Sequence, residues 1–322
     1  MILAGDIGGT KVNLALYREH GGALEPVRET RYESRSASGL GELLDKFFAG
    51  ERPPVSAAAL GVAGPVKDGR AAVTNLPWVV NTGDIKKRLG GAEVWLLNDL
   101  AATAAALPFL NPSSLMELQP GTQGGEARRA VLSAGTGLGG AFLVPVQDRY
   151  VVVDGEPGHA DFAPRSDREM ALARHLRETF GRVSIETVLS GAGLYRIYRF
   201  FAPDSKEVPE MGAGEGGRAV TELALSGSSA VAKQAAGLFA SVFGAVAGNL
   251  ALTVLPRGGL YLGGGLAAKF AALLSAGDFI KSFRAKGGFA PLMAEFPVRV
   301  ILDERAPLLG AAHYALGKKF IR

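Results

Sequence analysis

The run Gly5-Asp6-Ile7-Gly8-Gly9-Thr10-Lys11 holds the parts of an anion cradle. Gly8 and Gly9 carry no side chain that would keep a phosphate from the backbone, and they can take positive φ and turn their N–H groups toward an anion. Thr10 adds a hydroxyl donor. Asp6 stands at a strand end, where a carboxylate could hold a hydrated Mg²⁺. The competing reading is an ordinary hairpin whose Asp and Gly make the turn. A second run, Ser133-Ala134-Gly135-Thr136-Gly137-Leu138-Gly139-Gly140, has the same character. Two such turns could close on one phosphate chain. Neither run fits the Walker pattern of Gly, four residues, Gly, Lys and Ser or Thr. Neither opens directly into a helix, as the dinucleotide fingerprint requires.

Other polar residues stand where chemistry could use them. Asp99 follows the apolar Trp95-Leu96-Leu97 and Asn98, and opens a helix. It could accept a proton as a general base, or simply cap the helix, for which Asp is a favoured residue. Glu156 and His159 sit in Gly155-Glu156-Pro157-Gly158-His159-Ala160-Asp161-Phe162, a loop stiff enough to present them inward. A carboxylate can accept from vicinal hydroxyls and an imidazole can donate or accept; a solvated loop is the alternative. Only four histidines occur and no spacing resembles a zinc site. Glu186, in a helix's first turn, is favourable with the dipole whatever else it does. Gly263-Gly264-Gly265, between a strand and a helix, is by itself a tight turn.

These residues need elements to position them. Residues 2–4 and 12–17 flank the first run as the strands of a hairpin, with a third strand over 27–32. An amphipathic helix covers 39–49, and 57–62 is a small-residue strand buried on both faces. Helix 84–89, strand 94–97 and helix 101–107 follow, and 108–126 reads as irregular. Strands at 130–133 and 141–146 flank the second run, with another at 149–153. Helices are expected over 167–180 and 185–201, an exposed loop with no core to bury over 202–217, and a long small-residue helix over 229–255. Strand 260–262, helix 266–274, strand 298–302 and helix 306–318 complete the chain. The alternation of strands and helices argues for an α/β layer architecture. Trp78 reads as core.

Composition narrows the classes. The 322 residues, 48% hydrophobic, suffice for one large domain or two modest ones. The net charge of +4 comes from scattered residues, which gives no footprint for nucleic acid. The 44 glycines gather in loops, as close backbone approach to ligands would require. With no cysteine, disulfides and thiolate metal sites are excluded. The longest apolar run, 238–255, is broken by Ser241, Gly244, Gly248, Asn249 and Thr253 and reads as a buried helix, not a membrane span. No targeting segment is visible, so a cytoplasmic location is expected.

In their order along nearly the whole chain, these motifs resemble those of bacterial glucokinases of the non-zinc type. That family lies within the superfamily of sugar kinases, Hsp70 and actin. The resemblance implies a two-domain ribonuclease-H-like (actin/hexokinase-type) α/β fold with mixed central sheets flanked by helices. Its domains would be 1–108 plus 304–322 and 109–303, with the final helix packing back on the first. It implies ATP-dependent phosphorylation of glucose at the 6-hydroxyl, feeding glycolysis, with Asp99 as base. Asn75, Asn98, Asp99, Glu156, His159 and Glu186 would contact the sugar. Gly5, Asp6, Ile7, Gly8, Gly9 and Thr10 would serve one phosphate motif and Gly135, Thr136 and Gly137 the other. Gly263 and Gly264 would form the adenosine motif, and Mg²⁺ would bind near Asp6 through water. A homodimer is expected. Pro157 stands where the family usually has Gly, and Lys11 where close relatives often carry Asn. The zinc-containing sugar kinases need cysteines that are absent here. A sugar-sensing regulator is expected to carry a helix-turn-helix ahead of the first loop, where four residues precede Gly5. An actin- or Hsp70-like ATPase leaves Glu156, His159 and Glu186 without a purpose.

Overall fold

Apolar residues alternate on either side of Gly8 and Gly9, and the segment folds as a hairpin of β1 (Ile2–Ile7) and β2 (Lys11–His20), with Ile7 opposite Val12. The computed structural model describes residues 1–21, 23–50, 52–122, 124–125, 127–208 and 210–322. Gln123 and Glu126, in the segment expected to be irregular, and Pro209, in the expected loop, lie outside the described residues. Two compact units divide the chain: unit 1 is Met1–Pro112, Ala141–Asp154 and Asp303–Arg322, and unit 2 is Ser113–Gly140 and Gly155–Leu302.

Unit 1 continues with β3 (Ala23–Glu33), α1 (Leu40–Phe47), β4 (Ala57–Val62), β5 (Val66–Lys67), β6 (Arg70–Ala72), β7 (Val79–Asn81), α2 (Thr82–Arg88), β8 (Glu93–Asn98) and α3 (Asp99–Ala106). Its main sheet has the order β3-β2-β1-β4-β8. The β1, β4 and β8 strands are parallel, with Ile7 beside Val62 and Val62 beside Asn98. The period-2 alternation sends Leu3, Leu14 and Leu60 to one face, against Leu40, Leu43 and Phe47 of α1. Ile2, Ala4, Ala15 and Ala59 face the other way. The β5, β6 and β7 strands form a small separate sheet that periodicity did not reveal, because its strands are two or three residues long.

Unit 2 begins with β9 (Leu115–Gln119) and β10 (Arg129–Ala134). The strands β11 (Leu138–Val146) and β12 (Arg149–Gly155) follow the second glycine run, and most of their length, Ala141–Asp154, belongs to unit 1. Then come α4 (Asp167–Phe180), α5 (Ile185–Val188), α6 (Gly191–Phe201), α7 (Ala213–Ser226), α8 (Ala230–Val254), β13 (Leu260–Gly263), α9 (Gly264–Lys269), α10 (Ala271–Ser275), α11 (Asp278–Arg284), α12 (Ala290–Glu295) and β14 (Val298–Ile301). In the sheet of this unit β10, β13, β14 and β9 are neighbours in that order. The first three are parallel and β9 is antiparallel to β14. Each unit therefore has a strand that leads into a glycine run, with two further parallel strands on one side. The apolar helix α8 is long enough to cross a membrane, but most of its apolar stretch is buried within the unit. Gly244 and Gly248 let the backbone of α11 approach it, and Phe243 meets Phe279 edge-on at 5.6 Å.

The last element, α13 (Ala306–Leu316), belongs to unit 1. Leu308, Ala311, Ala312 and Ala315 pack with Ala101 and Ala102 of α3 on the second face of the sheet. Gly310 lies against the Ala102 carbonyl, with no room for a Cβ.

Four expectations need correction. The 108–126 segment contains β9. The expected helix 185–201 is broken at Leu189 and Ser190 into α5 and α6, because Ser190 caps a new helix through Gly193 N–H at 3.0 Å. The expected loop over 202–217 includes the start of α7, whose Gly216 and Gly217 are buried against Tyr195 and the Gly191 backbone. The expected helix 266–274 starts earlier, at Gly264, and is interrupted at Phe270.

Candidate active site

The polar residues of unit 1 gather where its parallel strands end. Ala63 N–H donates to Ile7 O at 2.9 Å, and Thr74 N–H donates to Ala63 O at 2.9 Å. Asn98 Nδ2 donates to Gly64 O at 3.3 Å. The ends of β1, β4 and β8 and the 74–75 turn are thereby tied together, at the end of a parallel sheet where ligands usually bind.

The first glycine run is shaped differently from the expectation. Neither Gly8 nor Gly9 has positive φ. Gly8 N–H closes the hairpin on Lys11 O at 2.9 Å, so it is not available to an anion. Gly9 is glycine because a Cβ would stand 2.6 Å from Thr74 O. Among the described residues, the donors left at the tip are the N–H groups of Gly9 and Thr10 and the exposed Thr10 hydroxyl. Ser34, which no local pattern marked, holds the loop from behind. It is fully buried, its Oγ donates to Gly8 O at 2.7 Å, and its N–H donates to Thr10 O at 2.9 Å. Gly5 and Ile7 are interior: Gly5 makes room for Leu60, and Ile7 belongs to the core.

Asp6 is half-buried and accepts from Asn13 Nδ2 at 3.1 Å. Burial pushes its carboxyl pKa up, against the Asn13 hydrogen bond and the Lys11 charge. Among the described residues no group of three or more His, Cys, Asp or Glu could by itself hold a metal ion. A single carboxylate suits a Mg²⁺ whose other ligands are water and phosphate.

Asn98 and Asp99 both reach the helix terminus that the sequence left to Asp99. Asn98 is the N-cap of α3; its Oδ1 accepts the Leu100 N–H at 2.9 Å. Asp99 is the first helical residue, and its own Oδ1 also meets that N–H at 2.9 Å. Gly61 lets α3 come down onto β4, since a Cβ there would stand 2.8 Å from Ala102 Cβ. Asn75 is exposed and held at φ +64, a left-handed conformation rare outside glycine. Trp78 is core, as expected.

In unit 2 the second glycine run, the 156–162 loop and the α5–α6 junction are brought together. Gly135 N–H donates to Gly137 O at 2.9 Å, and the Thr136 hydroxyl side chain is exposed at the tip. Leu138 N–H donates to Glu186 Oε2 at 2.9 Å. Pro157 stands at the start of a 3₁₀ turn, where its fixed φ is tolerated, and its ring packs over Gly140. Gly158 presses on Leu138 O. The loop is then stitched to the next segment by Phe162 N–H to Val183 O at 3.0 Å and Ile185 N–H to Ala160 O at 2.8 Å. Glu156 and His159 are exposed on it, and Arg182 steadies it from His159 O and Asp161. Gly263 is buried at the end of β13. Gly264, at φ +84, sits where a Cβ would stand 2.5 Å from Ser133 Oγ and 2.6 Å from Ala134 O, so the turn rests against the end of β10.

A protein-family model described as Glucokinase matches residues 3–318. The chain is 38% identical over 334 residues to a glucokinase of Nostoc sp., covering 97% of this chain and 98% of that one. It is 34% identical over 312 residues to a glucokinase of Photorhabdus laumondii, covering 97% and 96%. Among solved structures it resembles a glucokinase from an Antarctic psychrotroph, with a TM-score of 0.86, 28% identity, and coverage of 98% and 99%. The fold also matches a ROK family glucokinase from Streptomyces griseus solved with glucose and AMPPNP, with a TM-score of 0.66, 23% identity, and coverage of 98% and 99%. The chain belongs to the glucokinase family.

Proposed function

We propose that this chain is an ATP-dependent glucokinase, which transfers the γ-phosphoryl group of ATP to the 6-hydroxyl of glucose. Its kinship with glucokinases, and with a fold solved holding glucose and AMPPNP, supports these substrates, and one observation supports Asp99 as the base. Asn98 caps α3, and Asp99 Oδ1 only shares the Leu100 N–H that Asn98 already holds, so the terminus does not need a carboxylate at Asp99. In the reaction the 6-hydroxyl donates its proton to Asp99 as its oxygen attacks the γ-phosphorus, and ADP departs from the opposite side. Asn75, Asn98, Glu156, His159 and Glu186 are proposed to orient the sugar. Of these, Asn98 works largely through the backbone it braces, since both ends of its amide are engaged.

The Gly9 and Thr10 donors in unit 1, and the Gly135 to Gly137 turn in unit 2, are proposed to bind phosphate oxygens. The Gly263–Gly264 turn is proposed to receive the nucleoside. Mg²⁺, when bound, neutralises phosphate charge, and Asp6 would hold it through water. We propose a cytoplasmic homodimer that feeds glycolysis, with the two domains drawn near 108 and 304.

A coupled assay across glucose, mannose and glucosamine, with ATP, ADP and polyphosphate as donors, tests the reading. Glucose with ATP and Mg²⁺ should give the highest kcat/KM. Absence of glucose-dependent ADP release would overturn it. Light scattering behind size exclusion tests the dimer.

A further inference from the structure

The second glycine run is held at two points by the junction between α5 and α6. Glu186 Oε2 accepts the Leu138 N–H at 2.9 Å. Gly191 N–H donates to Gly135 O at 2.8 Å. Gly137 lies so close to the Glu186 carboxylate that a Cβ there would overlap Oε2. The carboxylate stands on a firm base. Ser184 and Thr187 close a reciprocal capping box around its turn, and Ser190 Oγ donates to Glu186 O at 2.9 Å. Arg196, fixed by its bond to Thr187 O at 2.9 Å, has its pKa lowered by burial and raised by the Glu186 charge. An ionised carboxylate accepts at both oxygens. One of them is committed to the loop backbone.

We propose that Glu186 couples the sugar to the phosphate loop: a sugar hydroxyl on its second oxygen fixes the carboxylate that holds Leu138 N–H, and so orders residues 135–138 for the nucleotide. The inference rests on the glucokinase reading. A loop already ordered by one ligand costs the second ligand less conformational entropy, which makes the two bind cooperatively. Linkage requires the effect to be mutual, so nucleotide must tighten sugar binding by the same factor.

Gly137→Ala tests this from the phosphate side. Gly137 is not in the left-handed region, so alanine is compatible with its backbone. The overlap falls on the far end of a flexible side chain, so the Glu186 carboxylate moves rather than the loop. The measurement is the affinity for Mg²⁺ and AMPPNP by calorimetry, with and without saturating glucose. In the wild type glucose should tighten AMPPNP binding about 5-fold or more. In Gly137→Ala that ratio should fall below about 2-fold, and glucose binding should weaken about 10-fold, the scale of one hydrogen bond to a charged group. A loop substitution that left the ratio and glucose affinity at wild-type values would overturn the coupling. So would a wild type that binds glucose with a ratio of one, and the kinase reading would then stand alone. A wild type that binds no glucose would overturn both. Should Gly137→Ala fail to fold by circular dichroism, Glu186→Asp keeps the charge but is one methylene too short for Leu138 N–H. An unchanged ratio there overturns the coupling equally.

Discussion

Asn98 holds the Leu100 N–H at 2.9 Å, so the helix that begins at Asp99 is capped by Asp99's neighbour. The two residues can therefore be separated by mutation. In Asp99→Asn the cap at Asn98 remains, and the loss is the favourable charge in the first turn, about 0.3–1 kcal/mol. The melting temperature should stay near wild type. Turnover should fall roughly 10²–10⁴-fold, the share of a general base, while the KM for glucose moves little, since an amide still hydrogen-bonds a hydroxyl. Steady-state kinetics beside a thermal melt decide the matter; near-normal kcat would return Asp99 to the helix terminus alone.

Ser34 braces the back of the first glycine run, through Gly8 O and Thr10 O. Ser34→Ala keeps the N–H bond and loses the hydroxyl, leaving Gly8 O without it in a buried place, at a cost of about 1–3 kcal/mol. The KM for ATP should rise several-fold, and that for glucose should stay within error. Equal effects on both would mean that the serine merely supports the unit as a whole.

Adjacent glycines in the Gly263–Gly265 turn should respond oppositely. Gly264→Ala puts a Cβ against Ser133 and Ala134 at φ +84, and should cost about 1–3 kcal/mol. Gly265 has open space and no positive φ, so Gly265→Ala should be neutral or stabilising by up to about 1 kcal/mol. Urea unfolding of the two variants compares them directly. Equal destabilisation would refute the close approach at Gly264.

His313 on α13 stacks on Phe109 at 3.6 Å, and burial pushes its pKa down to about 4 from 6.5. The unfolded chain then binds the extra proton first as pH falls. The stability from neutral His313 is full above about 6.5 and is lost as pH drops toward 4. Carboxylates titrate near the same range, so the measurement is the difference between wild type and His313→Phe, which keeps a ring against Phe109. Stability of the variant should depend less on pH between 6.5 and 4. Parallel pH profiles would show that His313 contributes nothing.

The local part of this protein was legible. The strands around each glycine run, α1, α4 and α8 carry their own periodicity. The motif residues lie at strand ends because apolar runs stop there. What was missed depends on distant partners. The β9 strand is short and finds its mate β14 far along the chain, so no local pattern announces it. Gly216 and Gly217 looked like loop residues but are helix positions stripped of side chains so that α7 can lie against α6. Ser34 is one of three serines spaced by two in 34–38, and its partners lie 26 residues away or nearly so. The left-handed φ expected at Gly8 and Gly9 occurs instead at Gly64, where the chain turns beneath Ala72.

The placement of α13 in unit 1 bears on how this protein emerges from the ribosome. The α3 helix and the sheet face formed by Ala4, Ala15 and Ala59 have their covering helix about 200 residues downstream, between Pro112 and Ala306. At about 5–20 residues per second, that face waits roughly 10–40 s for its partner. Unit 2 is synthesised almost whole in the interval and can complete its own core first. The nascent chain thus carries an open alanine-lined surface for much of its synthesis, where a holdase chaperone would find it.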